Sequence, residues 1–433
     1  MNASGMLRRV VAGMGANAVG MALTIGFQLA SLPLFLHVWD ATTYGVWLML
    51  SALPGYLAMA DVGMVTAAGN QMAMAVGAGN TAHANRVFHS AQLFMALVCG
   101  VVLLLATPTI AWLPWQGATA DQRWALWALC AGVLLAFVGG LSEQVFKATQ
   151  RYALGTMLGN TVRLVEWLGW MLGLWVWGGF AAVALCGLCA RLLATMGSVY
   201  LARQHPQGLT WGWHAADRAT LRQMVKPAAG FMAFPMSTAL SLQGVTLLVG
   251  AFLGPVAVAT FNTYRTLARS CVQLTGMFSY ALWPEFSRLH GQGQYITLQK
   301  LAYRSTALNG VQAAATSVVL YVLAPWVLVW WTHGQIAFEP YTFAVLMAYA
   351  AVAGLWHVPR VVLMATNQHG ALAYWTLVAA AACVLAVAWG AHTHGLLGVG
   401  GGMLLSEILI AVVCVYQVWC RLSFVSCLQK VET

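Results

Sequence analysis

Arg265 and Arg269 lie four residues apart in the run Ala257–Trp283, which otherwise reads as a membrane span. Four residues is about one helical turn, so the two guanidiniums share a face of one helix. Two cations that close inside hydrocarbon repel each other unless an anion lies between them. A guanidinium fork matches the oxygens of a phosphate two at a time. The chemistry this pair suits is capture of a phosphate-bearing group in a wet cavity, where a bare charge can be tolerated. The competing reading is internal pairing with Glu407, but one carboxylate cannot neutralise two arginines. The other ionisable residues inside apolar runs are Asp61, Glu143, Arg163, Glu166, Arg191 and Arg360. Arg163 and Glu166 are three apart, the spacing of a structural helix pair, with Arg163 reaching a cavity as the alternative. Arg191 has Glu143 and Glu166 as partners, which favours a structural role. Asp61 suits a coupling ion or proton as well as it suits a cap on the segment that starts at Val62-Gly63. Glu407 is the second candidate for ion coupling.

The elements that must hold these charges are membrane helices. Residues of the AVILMFWYC set make up 61% of the 433-residue chain, and only 7% are Asp, Glu, Lys or Arg. A soluble domain averages about 25% charged, so a soluble enzyme and a disordered chain are both excluded. The apolar runs are continuous and lack the short alternation of a β-barrel. The net charge of +10 reports basic loops and not a nucleic-acid partner. Cys186 and Cys189 have C-x-x-C spacing but lie in an apolar helix, so redox or metal use is not expected. His392-Thr-His394 would need outside ligands to hold a metal. The glycines from Gly398 to Gly402 open a membrane helix, where small residues permit close packing. With no Walker motif, ATP-driven transport by this chain alone is not expected, and no cofactor is implied.

Twelve runs are long enough to span, from Val11–His37 to Leu397–Trp419. One set of ends and loops holds Arg8, Arg9, Arg86, Lys147, Arg151, Arg203, Arg218, Arg222, Lys226, Arg288, Lys300, Arg304, Arg421 and Lys430, while the opposite loops hold only Arg123. That asymmetry predicts both termini in the cytoplasm. Tryptophans including Trp39, Trp124, Trp175, Trp177, Trp330 and Trp389 mark the outer edge. The halves also match at an offset close to 216 positions: Gln28 with Gln243, Pro108 with Pro325, Ala148-Thr-Gln150 with Ala365-Thr-Asn367, and Arg191 with Glu407. The expected architecture is all-α and polytopic. It has two pseudo-symmetric six-helix lobes, 1–215 and 216–433, around a central cavity.

Four segments carry a family resemblance: Leu32-Pro-Leu-Phe-Leu leading to Tyr44-Gly45, Asp61-Val-Gly63, Gly254-Pro255 leading to Arg265-Thr-Leu-Ala-Arg269, and Trp283-Pro-Glu-Phe-Ser287. In these the chain resembles the polysaccharide transporters of the multidrug/oligosaccharidyl-lipid/polysaccharide exporter superfamily, the O-antigen and exopolysaccharide repeat-unit flippases. The resemblance implies two helical lobes with spans one, two, seven and eight lining the cavity, which adds Gln28 to Arg163, Arg265 and Arg269 as substrate-binding candidates. It implies a non-enzymatic, multi-pass protein of the bacterial inner membrane. Its implied task is to move undecaprenyl-pyrophosphate-linked oligosaccharide from the cytoplasmic to the periplasmic leaflet. The implied partners are that substrate, membrane lipids and a polysaccharide polymerase with other assembly proteins. A drug or cation antiporter of the same fold is the alternative, and it should favour acidic cavity residues. A membrane-embedded polymerase or ligase would need a long periplasmic loop, which the sequence lacks.

Overall fold

In a computed structural model, residues 3–61, 63–112, 119–149, 151–204, 209–283, 285–286, 289, 292–366 and 370–431 are described. Val62, Gln150, Pro284, Ser287 and Asn367 of the sequence motifs lie outside that set. Among the described residues the architecture is all-α, as the long apolar runs require. The chain forms two compact units: Met1–Trp39 with Leu50–Pro235, and Asp40–Met49 with Met236–Thr433.

The first unit contains α1 (Ala3–Val38), the later part of α2 (Ala41–Leu57), α3 (Met64–Gly77), α4 (Thr81–Trp112), α5 (Ala120–Ala148), α6 (Tyr152–Val176) and α7 (Phe180–Gln204). Helix α8 (Arg218–Ala239) begins in this unit and ends in the second. The α5 helix starts on a capping box: Thr119 accepts from the Gln122 N–H and the Gln122 side chain accepts from the Thr119 N–H. Its first-turn Asp121 then serves a second helix. The two carboxylate oxygens accept the Phe180 and Ala181 N–H groups at 2.8 and 2.9 Å, which satisfies orphan donors at the N-terminus of α7. The apolar core of this unit joins Phe88 and Met95 of α4, Leu141, Val145 and Phe146 of α5, and Met72 of α3.

The second unit contains α9 (Val245–Leu253), α10 (Pro255–Ala281), α11 (Tyr295–Trp331), α12 (Pro340–Ala365) and α13 (Gly370–Val431). A π-turn over Leu240–Gly244 precedes α9. Gly395, at φ 60°, breaks α13 into two legs. The turn into α10 needs glycine: Gly254 sits at φ 83°, ψ 177°, a region essentially reserved for glycine, and Pro255 then opens the helix. Gly45 of α2 packs onto that turn so closely that an added Cβ would fall on the Pro255 carbonyl, with Pro255 Cα 3.0 Å away. Tyr44-Gly45 and Gly254-Pro255, two segments that carried the resemblance, therefore form one contact.

Among the described residues, eight helices are long and apolar enough to cross a membrane. The difference from twelve expected spans has local causes. Spans eleven and twelve are the two legs of α13, on either side of the kink at Gly395, and count once. Helix α2 has only 17 residues. Helices α6 and α10 carry the arginines with polar or aromatic companions that lower their hydropathy. The chain is a multi-pass membrane protein. Trp124, Trp175 and Trp177 in the first unit and Trp330 and Trp389 in the second are exposed, as an interface position requires, whereas Trp39 is buried, its indole N–H donating to the Gly178 carbonyl at 2.6 Å.

Thr149 ends α5 with its hydroxyl on the Val145 carbonyl at 2.9 Å, and Thr366 ends α12 with its hydroxyl on the Val362 carbonyl at 2.9 Å.

Candidate functional site

Helix α10 places the two arginines differently. Arg265 is buried, with 7% of its surface exposed. Its Nη1 donates to the Leu242 carbonyl of the π-turn at 2.9 Å. Its Nη2 donates to Thr246 Oγ1 at 2.7 Å and to Asn262 Oδ1. The guanidinium also lies 5.1 Å from the centre of the Phe261 ring. Asn262 is fixed in turn by donating to the Val258 carbonyl at 2.9 Å. Neutral acceptors and an aromatic face therefore solvate Arg265 without cancelling its charge.

Arg269, one turn further along α10, is half-buried and has no hydrogen-bond or ion-pair partner among the described residues. The obvious protein counter-ion is elsewhere. Glu407 is buried and accepts the Trp356 indole N–H at 2.8 Å. The Arg360 guanidinium lies over the Trp356 ring, 5.6 Å from its centre. Beside them His357 Nδ1 shares a hydrogen bond with Thr275 Oγ1 at 2.6 Å.

The remaining candidates belong to the first unit. Arg191 Nη1 meets Glu166 Oε2 at 2.5 Å, so the structural role expected for Arg191 is observed, with Glu166 as partner. Glu166 therefore pairs across to α7 and not along α6 with Arg163. Arg163 is exposed and lines a cavity of about 210 Å³ with Glu143, Arg191 and Thr195. Arg191 Nε and Thr195 Oγ1 are buried there without a hydrogen-bond partner among the described residues, so the cavity is polar enough to hold water. Gln28 sits half-buried in α1. Asp61 Oδ1 accepts the Val65 N–H at 2.8 Å, the cap on the short helix α3. Sequence reasoning missed Thr246, Asn262 and Trp356 as the groups that hold Arg265 and Glu407. The Asn262-x-x-Arg265 spacing was the available signal for one of them.

The fold has solved counterparts. An inward-facing multidrug resistance MATE family transporter of the MOP superfamily aligns with a TM-score of 0.77 at 12% identity, over 96% of this chain and 99% of that one. The chain has the MATE transporter fold. An outward-facing structure of a multidrug resistance MATE family transporter aligns at 0.66 and 13% identity, over 96% of this chain and 97% of that one. A MOP superfamily transporter from Pyrococcus furiosus aligns at 0.63 and 12% identity, over 96% of each chain; its binding pocket is described as having reverse polarity, suggesting a different function. No protein-family model and no curated protein matches the sequence.

Proposed function

We propose that the chain is a secondary-type transporter that moves an anionic, lipid-linked substrate between leaflets, specifically an undecaprenyl-pyrophosphate-linked oligosaccharide used for O-antigen or exopolysaccharide synthesis. The observation that carries this reading is Arg269. It stands one turn from a second arginine, without a partner among the described residues, while the carboxylate of Glu407 is turned to the Trp356 indole. A pyrophosphate supplies the missing negative charge and suits guanidinium geometry. The substrate class comes from the resemblance of the four sequence segments, with Arg163 and Gln28 as further contacts. In this reading the protein lies in the bacterial inner membrane with both termini cytoplasmic, and it works beside a polymerase.

A second reading has its own support. The solved structures of this fold include multidrug transporters, which favours a drug or cation antiporter. The sign of the charge on α10 argues against a cationic cargo, and the transporter described with reversed pocket polarity supports the idea that one superfamily serves more than one charge. For ion coupling we retain Glu407, a buried carboxylate with a neutral donor. The capping bond of Asp61 supports a structural role there. A leaflet-specific assay of lipid-linked oligosaccharide separates the two readings. Cells lacking this chain should accumulate it in the cytoplasmic leaflet. An unchanged distribution together with raised sensitivity to cationic drugs would establish the antiporter instead.

A further inference from the structure

A groove of about 400 Å³ lies on the first unit between α4, α5 and α7. Its walls are Met95, Ala96, Cys99, Val138, Leu141 and Val199. Gln92, Met95, Ala96 and Cys99 follow the spacing of one helix face, so the groove runs along α4 for about two turns, ~10 Å. It opens on apolar surface: Ala96 and Val138 are exposed, as is Leu97 beside them. Its mouth is polar and lies where α7 ends.

Four groups form that mouth: Gln92, Arg203, Trp211 and Trp213. The Arg203 guanidinium lies 5.3 Å from the centre of the Trp211 ring. Among the described residues Arg203 is exposed and has no carboxylate or hydrogen-bond acceptor. The segment carrying the tryptophans is pinned to α4. Trp211 meets Phe88 edge-on at 5.0 Å, and Gly212 N–H donates to Gln92 Oε1 at 3.2 Å. Asn85 Oδ1 accepts the Thr210 N–H at 2.7 Å, and His89 Nε2 bonds the Thr210 carbonyl at 2.9 Å. The bond from Gly212 orients the Gln92 amide so that its NH₂ remains to donate. The nearby Asp217 carboxylate is committed to the Thr220 and Ala219 N–H groups. The mouth is thus a preformed cationic and donor-rich corner, and the exposed indole of Trp213 suits a headgroup-level position.

We propose that this groove binds one anionic phospholipid, with an acyl chain along α4, α5 and α7 and the phosphodiester on Arg203 and Gln92. The volume suits a single chain and lies in the ordinary range of ligand sites. Bilayer hydrocarbon is as apolar as the groove, so the chain gains little by entering it. Selectivity must therefore come from the charge at the mouth. This site is independent of the arginines on α10.

The purified full chain, delipidated in detergent, is titrated with phosphatidylglycerol or phosphatidylcholine of identical acyl chains, and retention is read by native mass spectrometry. Phosphatidylglycerol should be retained about fivefold more strongly, the effect of one basic residue at an anionic headgroup. Arg203→Ala should abolish that preference and Arg203→Lys should keep part of it. Ala96→Trp, which fills the groove from an exposed position, should lower retention of both lipids. Glycerol 3-phosphate, which has the phosphate without the chain, should not compete. Equal retention of the two lipids by the unaltered chain, an intact preference in Arg203→Ala, or competition by glycerol 3-phosphate would overturn the proposal.

Discussion

Substituting Gly45 with Ala tests the packing that anchors α10, the helix that carries both arginines. The added methyl would meet the Pro255 carbonyl, with Pro255 Cα 3.0 Å away, and both obstacles are backbone atoms that cannot rotate aside. Overpacking of this kind costs about 1–3 kcal/mol. Gly254→Ala perturbs the same turn by another route, because alanine must adopt φ 83° and ψ 177°, at about 1–3 kcal/mol. A loss of ~2 kcal/mol lowers the melting midpoint by about 4–8 °C for a unit of this size. Gly276→Ala is the control in the same helix. A Cβ there meets nothing within 4 Å, so it should be neutral or stabilising by up to ~1 kcal/mol. The double variant Gly45→Ala/Gly254→Ala should cost less than the two singles added, because a displaced turn relieves the clash. Thermal unfolding of detergent-purified protein measures all four. An unchanged midpoint in Gly45→Ala would refute the reasoning.

Two further outcomes follow from groups in and beside the first unit's helices. Glu166→Gln leaves the Arg191 guanidinium uncompensated; a fully buried pair would cost about 3–5 kcal/mol, and the residual exposure of 17% and 14% reduces the expectation to ~2 kcal/mol. The double variant Glu166→Leu/Arg191→Leu should recover most of that in the same unfolding assay, and a Glu166→Gln protein as stable as the parent would exclude a structural pair. Hydrogen bonds from the Thr220 and Ala219 N–H groups hold the Asp217 carboxyl below the ordinary carboxylate range. The folded value is depressed, so its stabilisation is present above the ordinary carboxylate range and is lost as pH falls through the lowered value. Hydrogen exchange at the start of α8 should quicken on acidification relative to Asp217→Asn, and identical profiles would contradict this.

Fold class was legible because the hydrophobic signal is redundant along the chain. Thr149 and Thr366, matched in the sequence repeat, each bond the carbonyl four residues back, as threonines in other helices also do. The pairing of charges was only partly legible. Spacing put Glu166 beside Arg163 on one helix, but the partner it meets is Arg191 on α7. The acceptors around Arg265 depend on the π-turn that presents the Leu242 carbonyl, and no periodicity reports such a turn. Asp40–Met49 joins the second unit through the Gly45 contact with Pro255, which links residues far apart in sequence. Asp61 illustrates the reverse case. The cap on α3 was one of two readings drawn from Val62-Gly63, and the Val65 N–H is indeed held.

The most direct test of the account compares two cargoes in proteoliposomes containing the full chain. One is a fluorescent pyrophosphate-linked isoprenoid oligosaccharide, scored by leaflet-specific enzymatic access, and the other is a lipophilic organic cation. The unaltered protein should translocate the anionic lipid. Arg269→Ala should slow that flux about tenfold or more while folding normally, since a charge-assisted hydrogen bond contributes about 1.5–3 kcal/mol. Arg269→Lys should recover only part, because an ammonium lacks the bidentate fork. Undiminished anion flux in Arg269→Ala, or transport of the cation in place of the anion by the unaltered protein, would contradict the central claim.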